Sequence, residues 1–538
     1  MARVSRRLFL AAASSFAIAA ATGMPAGAAE TPKQGGTLSA ILQPEPVTLT
    51  PATNTAQPTQ VVAGNIFDGL VYYDFDLTPK PALAERWEVA PDGLTITFHL
   101  RKGVKWHDGK PFSAADVKWT LENVWKTVHP RNKALFENVS SVETPDDTTV
   151  ILKLSKPSLP ILSVINGVGA PILPKHLYEG TDLLNNPYNN KPVGTGPFVF
   201  KEWKKGEYVT LERNPDYWDT GKPHLDKIVF RVIPDAAARA AALEKGEVQY
   251  APFNPVPFRD VERLAALPNL KVETRGYEWL SPVLYLDLNV DNPYLKDVRV
   301  RHAIAHALDK EAVAKVVWFG YGKPAVSPVP STLGAFHDAG VTKYPFDPRK
   351  AEALLDDAGF KRGPDGVRFS ITHDYLPYGD DYKRTGEYLK QALKRVGIEV
   401  TLRSQDSAAF IKRVYADRDF DISSSYNAAF PDPQIGVVRE YWSGWLGTKT
   451  PWTNGSGYRN AKVDALIQAA AVDGDPKARV GQFKEFQNIV VDDLPTLPLL
   501  ELKFFTVHAA SLKGAVLQGD QVYSSLKNAW LDDAPKQN

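Results

Sequence analysis

Cysteine is absent from all 538 residues. That one absence removes disulfides, thiolate zinc sites, iron–sulfur clusters, a cysteine nucleophile and a lipid anchor on cysteine. Charge of either sign is not in surplus: 63 Lys and Arg stand against 62 Asp and Glu, a net of +1. Neutralising a phosphate backbone needs an excess of cations, so nucleic acid is excluded as the main partner. Long apolar runs are missing outside the extreme N-terminus, which excludes an integral membrane protein. Gly and Pro, 37 and 42 residues, are too few for a fibrous or low-complexity chain. Catalytic signatures are missing too. No G-x-S-x-G occurs. Gly103 to Lys110 only superficially suggests a phosphate loop, because the glycines are one residue too far apart and Pro111 stands where Ser or Thr would hold magnesium. His302 and His306 share an i, i+4 spacing, but Ala303 occupies the glutamate position of H-E-x-x-H. No catalytic residue, cofactor or metal set is therefore assigned.

What is present begins with an address. Arg3, Arg6 and Arg7 precede the apolar stretch Leu8 to Ala21, which is too short to remain as a membrane helix. Ala26-Gly27-Ala28 then supplies A-x-A spacing for a cut near Ala28 or Ala29. Residues 1–29 are read as an export signal, and Ser5-Arg6-Arg7-Leu8-Phe9-Leu10 resembles a twin-arginine core. An ordinary secretory signal carrying two arginines is the alternative. Removing three arginines and no acids takes the net charge from +1 to −2. A lipid-free exported chain fits a Gram-negative periplasm.

The length suggests about three domains or subdomains at ~150 residues each. Strands are expected at Thr37–Leu42, Leu94–Leu100, Thr148–Leu154, Val400–Arg403 and Phe420–Ser423, with a hairpin of Phe198–Trp203 and Tyr208–Arg213. Helices are expected at Val61–Leu70, Ala114–Thr127, Ala236–Lys245, Val298–Phe319, Pro348–Ala358, Asp381–Val396, Val463–Ala471 and Arg479–Val491. Ser113 with Asp116 reads as a helix start, and Asp309 as a local cap inside an apolar stripe. The mixture is α/β with short strands, and βαβ units are expected at Val400–Arg403 and Phe420–Ser423. Aromatic residues (12 Trp, 21 Tyr, 24 Phe) fall on polar, Gly/Pro-rich loops as well as on apolar stripes. Aromatics on such loops either wall a small-molecule pocket or pin the loops to the core.

Four blocks in order resemble the family 5 extracellular solute-binding proteins, the receptors of oligopeptide, dipeptide and nickel ABC importers. They are Leu100–Phe112 running on into Ala115-Asp116-Val117; Gly194–Phe198 with Arg213–Trp218; Asp297–Ile304 with Ala307–Glu311; and Asp347–Leu355 with Ala358-Gly359-Phe360. The resemblance spans roughly residues 35–510. It implies a two-lobed periplasmic-binding-protein fold with a ligand cleft between lobes, closing by a hinge. Lobe one is expected over 30–285 with an extra subdomain about 75–190, lobe two over 286–500, and a C-terminal return over 501–538. The crossings are placed near Leu284–Asn289 and Pro495–Leu502. The implied partners are a small organic solute (peptide, amino-acid conjugate or opine-like compound) and an inner-membrane ABC permease; the receptor is expected to be a monomer and not an enzyme.

One position departs from the family. Peptide-binding members carry, after a Phe-Asp strand, an aspartate that holds the ligand's ammonium group. In Phe420–Pro433 that position falls on Ala429 or Phe430, neither of which can pair with an ammonium. Asp432, before Pro433, is read as loop structure in preference to a ligand anchor. The expected cleft residues are Asn54, Thr55 and Gln57 in the polar loop of lobe one, and Tyr375, Tyr378, Tyr426, Asn427 and Phe430 of lobe two. Trp442, Asn454 and Tyr458 are outer candidates. Arg384 and Arg413 are read as surface ion pairs, with a ligand carboxylate as the other possibility. A nickel or metal-chelate receptor of the same fold, an exported hydrolase, and a chaperone-like or peptide-sensing role are the competing functions.

Overall fold

A computed structural model describes residues 31–532. The export signal lies outside the described residues. Two large sheets organise the rest. The first has seven strands in the order Leu270–Glu273, Thr506–Ala509, Tyr250–Ala251, Thr37–Leu42, Lys227–Val232, Tyr208–Arg213, Phe198–Lys204. Thr37–Leu42 runs parallel to Lys227–Val232 and to Tyr250–Ala251; the other pairings are antiparallel. The expected hairpin is the sheet's edge. The second sheet has six strands in the order Gly322–Pro324, Thr496–Leu502, Pro282–Leu288, Ile422–Ala428, Phe369–Tyr375, Ile398–Arg403. Phe369–Tyr375, a strand not expected from the sequence, pairs in parallel with both neighbours, and the helix Asp380–Arg395 connects it to Ile398–Arg403 as a βαβ unit. A separate antiparallel sheet (Ala84–Val89, Thr95–Leu100, Thr149–Leu154, Val139–Asp146) packs under the helix Ala114–Thr120.

Two adjacent inner strands of the second sheet fall where the sequence reading places connections. Pro282–Leu288 and Thr496–Leu502 are buried at all seven positions each. A strand covered on both faces shows no polar alternation to mark it. The chain therefore changes sheet between Glu273 and Pro282 and returns between Leu502 and Thr506, beside rather than within the expected spans.

Local chemistry sets the element ends. Ser113 and Asp116 form a capping box. The helix of Ala114 gives way at Leu121 to a wider turn through Trp125, so it is not one α-helix to residue 127. The expected Val298–Phe319 helix is also broken. It stops at Ala307, Leu308 is extended, and the Asp309 carboxylate accepts from the Ala312 N–H at 3.0 Å to start a new turn. The first helix runs Gln57–Ala63 and not Val61–Leu70, because Pro58 suits a first turn. Gly64 ends it where a side chain would strike the Tyr523 carbonyl at 2.2 Å. Gln57 is thus a helix residue and not a loop residue.

Candidate functional site: the cleft between the sheets

The second sheet presents the ends of Pro282–Leu288 and Ile422–Ala428 to the first half of the chain. There the Ala429 N–H donates to the Ser281 carbonyl and the Phe430 N–H to the Leu280 carbonyl, both at 3.3 Å. Phe430 sits at φ 57°, a left-handed conformation unusual for a bulky side chain. Gly436 permits this bend, since a Cβ there would lie 2.0 Å from the Ala428 carbonyl oxygen. The bend turns the Phe430 ring edge-on against Trp279, with centroids 4.8 Å apart.

Over the other face of Phe430 stands Arg131, its guanidinium carbon 4.8 Å from the ring centroid. Arg131 comes from the first half of the chain and donates to the Thr55 carbonyl at 3.1 Å. Burial pulls its guanidinium down from its ordinary value to about 10, with Arg439 adding to the fall while Tyr523 and Tyr426 support the charge. Arg439 donates to the carbonyls of Trp452 and Pro451. Among the described residues neither arginine makes an ion pair. Two guanidinium groups from distant parts of the chain thus lie near enough to repel each other, with carbonyls and rings as their recorded contacts. Beside them, burial takes His129 down to about 3, so it is neutral; its Nδ1 accepts from the backbone of Asn132 at 3.2 Å.

An aromatic wall extends from this point. Tyr426 meets Phe504 edge-on at 5.3 Å and Tyr382 at 6.3 Å. Tyr378, half exposed at the rim, approaches Trp452 at 6.4 Å. Phe504 also touches Phe253 and Tyr277 of the first half of the chain. Asp381 lies at this end of the wall. Burial raises its carboxyl to about 7, with Arg384 opposing and Asp380 adding to the rise.

The expected residues divide. Thr55, Tyr378, Tyr426 and Phe430 gather around Arg131 and Arg439, Thr55 through its carbonyl. Asn54 accepts from the Ala56 N–H at 2.7 Å and shapes its own loop. Tyr375 is buried at the end of its strand, and Gln57 is partly exposed on its helix. Asn427 donates to the Gly436 carbonyl at 2.8 Å and to Glu440 at 2.9 Å, beneath the cleft rather than into it. Trp442 packs on a satellite core with Tyr441, Tyr458, Phe483 and Phe486. Asn454 spends its amide on the Tyr458 and Gly457 backbone, and the Tyr458 hydroxyl donates to Asp493. Asp432 forms a buried two-pronged ion pair with Arg479, both contacts 2.8 Å. Arg413 faces buried Asp374 at 3.8 Å, and Arg384 lies over Phe319. His302 and His306 are engaged by the carbonyls of Asp492 and Pro345, both at 2.7 Å. Sequence reasoning missed Arg131, Arg439, Tyr382, Phe504 and Tyr523. No periodicity or motif marks them, because they meet across some 390 residues.

Two large sheets joined by two connections, with aromatic rings and a few polar groups where they meet, suit a binding protein for a small molecule. Residues 78–445 match the family model of the bacterial extracellular solute-binding proteins, family 5, and the chain belongs to that family. It is 30% identical to the dipeptide-binding protein of Escherichia coli (strain K12), over 84% of this chain and 86% of that protein. It is 29% identical to the glutathione-binding protein GsiB of Salmonella choleraesuis (strain SC-B67), over 89% of this chain and 91% of that protein. Its fold is similar to that of AgaA of A. tumefaciens R10, solved with agropinic acid, at TM-score 0.75 and 27% identity, covering 93% of this chain and 99% of that one. The chain is a solute-binding protein of an ABC importer. Relatives of this kind bind and deliver solutes, which does not favour a hydrolase. Among the described residues no helix is long and apolar enough to cross a membrane.

Proposed function

We propose that the protein is an exported periplasmic receptor that captures a small organic acid between its lobes and hands it to an ABC permease. One observation carries the ligand class. Where peptide-binding members of the family place an aspartate, this chain carries Ala429 or Phe430, and Phe430 lies beneath a half-buried arginine that makes no ion pair among the described residues. The polarity of the anchor is reversed. A site that would hold an ammonium becomes one that holds a carboxylate by charge-assisted, two-pronged hydrogen bonds. The lobes are proposed as residues 31–273 with 506–532, and 282–502. The subdomain around 75–190 supplies Arg131. Tyr378, Tyr426 and Phe430 contact the solute's body, and Thr55 orients Arg131. That agropinic acid is the ligand of AgaA, and that glutathione-binding and dipeptide-binding proteins are relatives, supports a polar, carboxylate-bearing solute. Residues 1–29 are proposed to direct export by the twin-arginine route, and the mature chain to act as a monomer.

The test is native mass spectrometry of protein purified from periplasm without refolding, followed by release and weighing of the bound molecule. A single carboxylate-bearing mass is expected. A ladder of free-amine peptides, held equally by wild type and by an Arg131 variant, overturns the reading.

A further inference from the structure

Two arginines stand at the cleft, and a solute with one carboxylate would answer only one of them. Arg439 belongs to the turn Val438–Glu440. Just before it, Gly436 presses on the strand end that leads into Phe430: a Cβ there would lie 2.0 and 2.6 Å from the Ala428 and Ala429 carbonyl oxygens. That contact seats the turn beside Phe430, the ring over which Arg131 lies at 4.8 Å. Trp452 fixes the Arg439 side chain. Its backbone is left-handed, at φ 61°, its carbonyl accepts from the Arg439 Nε, and its ring approaches Tyr378 of the cleft rim at 6.4 Å. A second Arg439 N–H goes to the Pro451 carbonyl at 3.2 Å.

Carbonyl oxygens orient a guanidinium without cancelling its charge. Arg131 spends one of its N–H donors on Thr55, and Arg439 spends two on its carbonyls, so both keep donors for a solute. The groups around them supply no counter-charge of full strength. Burial raises the Glu440 carboxyl well above its ordinary range, with Asp287 adding to the rise and Arg439 opposing it, which weakens Glu440 as a counter-charge. Burial likewise raises the phenols of Tyr426 and Tyr523, which stay neutral, and His129 is neutral too. The two guanidinium groups therefore repel each other. One carboxylate would relieve that repulsion at one arginine and leave the other charge unanswered, in a half-buried setting where charges interact more strongly than in water.

We propose that the solute is a diacid, with one carboxylate for Arg131 and one for Arg439, and that Arg439 is the residue that selects diacids over monoacids. This rests on the carboxylate reading of the cleft given above. Each arginine offers a planar fork suited to a carboxylate, and each is already oriented, so little side-chain freedom is lost on binding. Rings accompany both charges, Phe430 under Arg131 and Tyr378 beside the tryptophan that holds Arg439, which suits a carbon chain bearing an acid at each end.

The test is calorimetry on the mature chain, dialysed free of solute, at neutral pH and fixed ionic strength. The probes are succinate, glutarate and adipate, the monoacids of matching length (butyrate, valerate and caproate), and glycerol phosphate, which carries its charge on a single group. Wild type should bind at least one diacid roughly 10-fold or more tighter than its matching monoacid, the worth of one further charge-assisted bond. Arg439→Met should bring diacid affinity down to the monoacid level. Arg439→Lys, which keeps the charge, should retain part of the preference, a rescue that a purely structural role for Arg439 would not give. Equal affinity of wild type for diacids and monoacids overturns the proposal, as does a diacid preference unchanged in Arg439→Met. Glycerol phosphate bound more tightly than every diacid overturns it as well, by placing the negative charge on one group. The two readings fail separately. Loss of both probe classes in Arg131→Met, with the diacid preference intact in Arg439→Met, refutes only the diacid. Arg131→Met that binds both classes as wild type does, or a wild type that binds no probe, refutes the carboxylate reading and the diacid together.

Discussion

Replacing Arg131 by Met separates a binding role from a structural one. The side chain is nearly isosteric, apolar, and able to keep contact with Phe430. Lowering the guanidinium from its ordinary value to about 10 corresponds to ~3 kcal/mol of disfavour for the charged form in the folded protein. Because the folded value is depressed, that penalty applies in full at every pH below about 10. Against it stand the ring at 4.8 Å, contributing about 2 kcal/mol in a desolvated site, and the bond to the Thr55 carbonyl, of the order of 1.5 kcal/mol or more. The two sides nearly cancel. The solute-free variant should therefore unfold within ~1 kcal/mol of wild type. Binding should respond differently. Losing a charge-assisted bond to a ligand carboxylate costs about 1.5–3 kcal/mol, or ~10- to 150-fold in Kd. Denaturant melts of solute-free protein, and calorimetry with the solute released from wild type, measure the two quantities. A variant several kcal/mol less stable that binds with unchanged Kd refutes the reasoning and makes Arg131 a structural residue.

Arg479→Met, which strands buried Asp432 without its partner, should cost about 3–5 kcal/mol in denaturant melts, and adding Asp432→Asn should recover much of it. Gly436→Ala drives a Cβ against the Ala428 and Ala429 carbonyls at 2.0 and 2.6 Å; it should unseat Phe430, so near-ultraviolet circular dichroism of the aromatic cluster and solute affinity should fall together. Arg6→Lys/Arg7→Lys should leave precursor in the cytoplasm, scored by fractionation and blotting; unchanged export would show a general secretory signal instead.

Much of the scaffold could be read from the chain wherever one residue governs its own neighbourhood. Ser113 with Asp116, Asp309, and Pro348 after Asp347 marked real helix starts, because capping is settled within four residues. The edge hairpin kept its bounds to within a residue, since the turn at Lys205-Gly206, with Gly206 at φ 76°, fixes both of its strands. The two adjacent inner strands did not show themselves. Pro282–Leu288 and Thr496–Leu502 are enclosed on both faces, and their apolar runs look like any buried segment. The cleft was legible only in part for a related reason. Phe430 and Tyr426 stood out as aromatics where the family's pattern breaks, but the arginine above Phe430 is 299 positions earlier in the chain. Asn454 and Tyr458 looked like loop ligands, yet a polar loop this long uses its own amides and hydroxyls to fold onto itself.

The two connections between the sheets are unequal, and that inequality gives the molecule a mechanical bias. One runs eight residues from Glu273 to Pro282; the other has only Lys503, Phe504 and Phe505. Strands before and after them are hydrogen-bonded to each other on both sides, Glu273 opposite Thr506 and Val283 opposite Glu501. A rotation of one sheet on the other would be taken up in the long connection, whereas the short one has little slack and would act as the pivot. Phe504 sits on that pivot and, through Tyr426, also in the wall of the cleft. If a solute is held against this wall as proposed, it would push on the axle itself, so that filling the cleft and turning the lobes would be one movement.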